Sequence, residues 1–303
     1  MNPKVDVVLS LEAPFRGAVD IHRLRFGEPG SGPHVAIVAG LHGNEVGGVC
    51  AVNQLVSQLA TATIEGCVDV FPVINRMGLD ETSKTNPLDH RDINRWFPGN
   101  SKGSASERIA RAVFEAIAPC EWVVSVHTGA EHVCDLVQLR CLEVDREVCA
   151  KLGSPLLWVQ PELDGQVSLL GQCRKRGQKV LYLTGGSGNS VRPETIDAMQ
   201  SILRQWLSAT NIVKDVLPQP GGTIAFEGKM SEVRTHFGGF FLPRVEAGQK
   251  VQSGTLLGTV QHVVGGKILE VIEASCDSLI TSVRVNPIVY PHELVVRNIP
   301  IRI

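Results

Sequence analysis

His42 and Glu45 stand three residues apart in Leu41-His-Gly-Asn-Glu45, offering an imidazole and a carboxylate at a helix entrance. Both are good zinc ligands, and a catalytic zinc usually takes three protein ligands and leaves one position for water. The pair follows the apolar run Val35 to Ala39 and a glycine, Gly40, and precedes a helical-looking stretch from Val46 to Leu59. A third ligand is needed, and His127 is the best candidate because it ends a second apolar run, Trp122 to Val126. Taken alone, the pair reads as readily as a helix-capping glutamate beside a core-edge histidine.

Ligands of open α/β sheets bind beyond the carboxyl ends of the strands. Four segments fall in that position: His42 with Glu45, a polar loop from Asn75 to Gly103, His127, and Thr184 to Gly188. Within the loop, Asp92-Ile93-Asn94-Arg95 supplies an amide and a guanidinium suited to holding a carboxylate. A surface salt bridge is the ordinary alternative for Arg95. Of the other histidines, His90 and His132 read as polar loop residues.

The elements that must position these groups are expected as strands over 5–11, 19–26, 35–39, 67–74, 122–126, 135–141, 155–159 and 179–183. Helices are expected over 46–59, 104–118, 143–152 and 193–209; Ser104-Ala-Ser-Glu107 has a capping-box pattern and Pro193 suits a first helical turn. Their alternation predicts an α/β fold, a mixed sheet with helices on both faces. Around Leu217 to Gly222 the character changes to short β-runs split by turn residues. The division expected is an α/β domain over 1–217 and a small all-β barrel or sandwich over 218–303. Val245 to Gly254 resembles the turns of lipoyl- and biotinyl-type domains. The hairpin tip Ser275-Cys-Asp-Ser-Leu279 has no lysine, so packing over the site or in a homo-oligomer is expected instead of a carrier role.

A net charge of −2 and few aromatics argue against a nucleic-acid partner, and no apolar run reaches the length of a membrane span. The N-terminal residues lack a signal-peptide layout, and eight scattered cysteines without a C-x-x-C pair read as thiols of a reducing cytoplasm.

His42-Gly-Asn-Glu45, Asp92-Ile-Asn94-Arg95-x-Phe-Pro-Gly99 and Ser125-Val-His127-Thr-Gly together resemble the succinylglutamate desuccinylase/aspartoacylase family, relatives of the zinc carboxypeptidases. The resemblance implies one zinc per chain held by His42, Glu45 and His127. It implies a small carboxylate-bearing substrate held by Asn94 and Arg95, and hydrolysis of the amide of an N-acyl amino acid. It covers residues 34 to 210, and the β-module resembles one that many bacterial members carry. Two departures stand out. Members carry a glutamate base in Thr-x-Glu-x-Gly-Gly, and the matching segment Leu181-Tyr-Leu-Thr-Gly-Gly186 places Leu183 there. Many also carry an arginine ahead of the Pro-x-Asp segment, where this chain has Lys84; Lys84 or Arg91 is then the oxyanion candidate. Glu194 and Glu227 are the candidate substitutes for the base. The rival expectation is a catalytically impaired or repurposed metal-binding protein, which Leu183 favours; a true peptidase is a distant third.

Overall fold

Strands that read as unbroken apolar runs become the middle of the sheet, where both faces are covered. The computed structural model describes residues 2–12, 17–163, 165–188, 190–214 and 222–301. The first part of the chain runs β1 (Lys4–Leu11), β2 (Val19–Gly27), β3 (His34–Ala39), α1 (Val46–Leu59), β4 (Cys67–Phe71), α2 (Arg76–Asp80), α3 (Ala105–Ala116) and β5 (Trp122–His127). It continues through β6 (Val133–Cys141), α4 (Arg146–Cys149), β7 (Leu156–Val159), α5 (Leu169–Lys175), β8 (Lys179–Gly186) and α6 (Pro193–Ala209).

The sheet order begins β1-β2-β4-β3-β5-β8-β6. β4, β3, β5 and β8 are parallel, while β2 and β6 join them antiparallel. α1 and α6 pack on the face presented by Val35, Ile37, Val124, Val126, Leu181 and Leu183. α3 and α5 pack on the opposite face with Ala36, Val38, Val123 and Val180. Strict alternation along the central strands therefore decides which side each functional residue serves.

Three segments differ from expectation. The helix expected over 143–152 shrinks to a 3-10 turn, Glu143–Asp145, and the single turn α4. Of its apolar residues only Cys149 and Leu152 join the core cluster, too little buried surface to hold a longer helix. The loop after β4 contains α2 and a 3-10 turn at Ile93–Arg95, and α5 lies in a stretch for which no element was expected.

The C-terminal strands are β9 (Ile224–Glu227), β10 (Ser231–Arg234), β11 (Gly239–Pro243), β12 (Lys250–Val251), β13 (Leu256–Gln261), β14 (Ile268–Glu273), β15 (Ser278–Arg284), β16 (Ile288–Val289) and β17 (Leu294–Pro300). This region is all-β, as expected. β14-β13-β11-β16 form a separate four-stranded sheet, whereas β15 pairs with β6 and β9 with β7, continuing the first sheet. Phe241, Leu257, Val260, Ile280 and Val295 fill the space between them. The expected division at 217/218 lies outside the described residues.

Candidate metal centre

The sharp turn after β3 depends on two glycines. Gly40 has φ +62, and a Cβ there would lie 3.0 Å from Val73 Cα. A Cβ on Gly43 would lie 1.9 Å from the backbone carbon of Gly78, so α2 approaches the turn backbone to backbone. Held this way, the chain makes a tight turn, Glu45 N–H donating to the His42 carbonyl at 3.2 Å, and enters α1 with Glu45 at its N-cap. His127 is the last residue of β5, a strand buried along its whole length.

The three side chains converge. His42 Nδ1 lies 2.7 Å from Glu45 Oε1 and His127 Nδ1 lies 2.8 Å from Glu45 Oε2. The rings sit 5.5 Å apart between centroids, and one donor atom from each residue falls within 4.8 Å of the others. The outer nitrogens are also engaged: His42 Nε2 with Asp92 Oδ1 at 3.0 Å and His127 Nε2 with Ser125 Oγ at 2.7 Å. Metal-binding histidines are typically oriented in this way by a partner on the second nitrogen. Burial works against charge on His42, but Asp92 and Glu45 on either side lift it to about 9. Burial likewise opposes ionisation of Glu45, yet His127 and His42 hold it down at about 2. Two inward nitrogens flanking a buried, ionised carboxylate are a donor set into which a zinc ion fits.

The other expected residues lie around this centre unequally. Lys84 Nζ is 3.8 Å from Asp92 Oδ2, and so stands one carboxylate away from His42. Arg91 is turned toward α3: it donates to Ser104 and Glu107 and lies 4.0 Å over the Trp96 ring. Asn94 is buried, and its Oδ1 accepts the Leu169 N–H at the start of α5. Arg95 is exposed and donates to the Asn94 carbonyl. Leu183 points into the core with α1 and α6, while Tyr182 stacks on His127 at 4.5 Å from the other face. Glu227 pairs with Arg146, and Glu194 is exposed in the first turn of α6.

Three residues near the centre had drawn no role from the sequence. Asp92 and Ser125 orient the histidines; both stood inside quoted motifs, so their positions were the available signal. Glu131, exposed, accepts from Asn44 Nδ2 at 2.7 Å, beside the turn that carries His42 and Glu45. Nothing in the sequence links residues 44 and 131; the fold does.

His34, Cys67 and Asp69 form a second cluster of ligand-type residues. Here Asp69 is bonded twice by Arg25, at 2.7 and 2.8 Å, and by His34 at 2.9 Å. Burial pushes the Cys67 thiol up to about 11. Guanidinium groups and a protonated thiol make this a structural ion network, not a cation site.

Comparison with known proteins gives the family and the fold. Residues 31–209, more than half of the chain, match the family described as succinylglutamate desuccinylase/aspartoacylase catalytic domain. The N-alpha-acetyl-L-2,4-diaminobutyric acid deacetylase of Halomonas elongata is 28% identical over 204 residues, which is 63% of this chain and 58% of that protein. The match thus spans less than two thirds of the relative's length. A succinylglutamate desuccinylase structure from Silicibacter sp. superposes with a TM-score of 0.83 at 18% identity, covering 99% of this chain and 95% of the other. The product-bound ectoine utilization protein EutE of Ruegeria pomeroyi gives 0.82 at 20% identity, with 98% and 94% covered. At such identities these structures speak for the fold. The match over 31–209 carries the further conclusion that the chain belongs to the succinylglutamate desuccinylase/aspartoacylase family.

Proposed function

We propose that the protein is a zinc-dependent amidohydrolase that removes the acyl group from a small, carboxylate-bearing N-acyl amino acid. The observation that carries this reading is the pair of Nδ1 atoms closing on the two oxygens of Glu45. Zinc held by His42, Glu45 and His127 would supply Lewis acidity, polarising an amide carbonyl and activating water near neutral pH.

The remaining work falls to the chain. Asp92 and Ser125 keep the imidazoles facing inward. Arg95 takes the substrate carboxylate, with Asn94 fixing the turn that presents it through its bond to α5. Lys84, above Asp92, faces the developing oxyanion; Arg91 serves only if it leaves Glu107. Glu131 is the acid assigned to proton transfer, because it is exposed and anchored beside the ligand turn. The Halomonas relative's name makes an acetylated diamino acid the first substrate to try. The cytoplasm is the proposed setting, supported by eight free cysteines. Among the described residues no helix is long and apolar enough to cross a membrane.

The test is metal analysis with turnover of a panel of N-acetyl and N-succinyl amino acids. The parent is expected to hold about one zinc and to hydrolyse at least one substrate, and His127→Ala to lose both. Full zinc occupancy in His127→Ala removes that ligand from the scheme. A zinc-loaded parent inert toward the whole panel favours the repurposed metal-binding protein.

A further inference from the structure

The imidazole of His127 is held at its edge by two hydrogen bonds. Nδ1 meets Glu45 Oε2 at 2.8 Å and Nε2 meets Ser125 Oγ at 2.7 Å. Oxygen acceptors tolerate a broad range of approach directions, so such bonds place the nitrogens but resist tilting of the ring only weakly. Tilt matters for a metal ligand, because the nitrogen lone pair lies in the ring plane. One face of the ring is covered by Tyr182, with centroids 4.5 Å apart and planes 7° from parallel.

Tyr182 is itself clamped. Ser125 on β5, Tyr182 on β8, Arg140 on β6, Trp158 on β7 and Phe226 on β9 are register partners across adjacent strands. Register partners share a face of the sheet, so these side chains form one row. The Arg140 guanidinium lies 4.8 Å from the centre of the Tyr182 ring and 4.9 Å from that of Trp158, a cation between two aromatic faces. β5 and β6 flank β8 on opposite sides, so Tyr182 is gripped between His127 and Arg140. Trp158 is fastened in turn by its Nε1, which donates to the Gly228 carbonyl just after β9 at 2.9 Å. Arg140 and Trp158 line a cavity of about 530 Å³ between β6 and the C-terminal strands, together with Asp135 and Arg297.

We infer that Tyr182, backed by Arg140 and Trp158, is a positioning residue that sets the plane of the His127 imidazole and through it the affinity for metal. Asp92 and Ser125 fix where the histidine nitrogens lie; the row fixes how the His127 ring is tilted. The effect on metal rests on the zinc reading of the site, whereas the geometry of the stack does not.

Two measurements on the full chain test this. Zinc affinity is read by competition with a chromophoric chelator. The His127 ring protons are followed by NMR in the metal-free protein, assigned by comparison with His127→Gln. Protons stacked under an aromatic ring are shielded, so they are expected upfield in the parent and in Tyr182→Phe, and Tyr182→Leu loses that shift. Tyr182→Leu is expected to weaken zinc about ten-fold, as for a lost outer contact of a metal ligand, and Tyr182→Phe by less than about two-fold. Arg140→Met is expected to weaken zinc about three-fold in the parent and not at all in Tyr182→Leu, because it acts through that ring. Trp158→Leu, further from the metal, is expected to match Arg140→Met and keeps the test open if the Tm of Tyr182→Leu shows that it does not fold. Parent-like zinc affinity in folded Tyr182→Leu, equal damage from the Phe and Leu changes, or unchanged affinity in both Arg140→Met and Trp158→Leu overturns the inference. So does an Arg140→Met effect that persists in Tyr182→Leu. A parent without shielded His127 protons overturns it whatever the metal does, while shielded protons in a parent that takes up no zinc overturn the zinc reading alone.

Discussion

Leu183 shows how one side chain's direction changes an argument. By sequence it occupies the place of the family's glutamate; in the fold it faces α1 and α6, with Tyr182 presented to His127 instead. Leu183→Glu therefore buries a carboxyl in an apolar layer, at a cost of at least about 2 kcal/mol. The expected result is a lower Tm and no gain in hydrolysis. A hundred-fold gain at unchanged Tm would mean that the face assigned to residue 183 is wrong. The companion change is Glu131→Gln, expected to lower kcat roughly 10²- to 10⁴-fold, the usual contribution of a general base, with zinc content unchanged. Unaltered kcat would assign Glu131 to holding Asn44 alone.

Between elements, the far end of the sheet is fastened by charge. Asp69 of β4 joins Arg25 of β2 and His34 of β3, with its side chain fully buried. Burial opposes its ionisation, but the bonds from His34 and Arg25 and the charge of Arg23 hold its carboxyl below the ordinary value of 3.8. A depressed folded pKa gives stability that is fully present above the unfolded value and is lost as pH falls through the folded one. Asp69→Asn is expected to cost about 3–5 kcal/mol at pH 7, since it leaves buried cations unpaired. The gap from the parent should narrow below about pH 4, as measured by urea unfolding. A gap that is constant from pH 7 to pH 3 would remove the ionised form of Asp69 from the account.

At the scale of the whole molecule, five of the C-terminal strands, β9, β10, β12, β15 and β17, belong to the first hydrogen-bonded sheet. β15 covers the edge of β6 and β9 that of β7, while Leu279 and Ile299 pack on Leu156, with Leu136 and Phe226 against them. Removing residues 222–303 uncovers two strand edges and this apolar surface, a combination that promotes self-association. The truncated chain is expected to elute as aggregate in size-exclusion chromatography. A monodisperse fragment that binds zinc like the parent would show that the two parts fold independently.

The grouping of His42, Glu45 and His127 was legible because its signal is local: apolar runs that each lead into a ligand-type residue, with His42 three residues before Glu45. The alternation of strands with helices through α6 was legible for the same reason, as hydrophobic period is a property of neighbours in sequence. The 143–152 stretch gave a helical signal that its few buried residues did not sustain, and α5 gave no such signal. Nor did side-chain facing at the end of β8, where one step of the chain separates the core from the site. Asn44 meets Glu131, Arg140 meets Tyr182, and Asp135 shares a cavity with Arg297 only because strands distant in sequence are laid side by side. The candidate ligand residues and the family motifs could be read along the chain; the contacts that surround them exist only once the sheet is assembled.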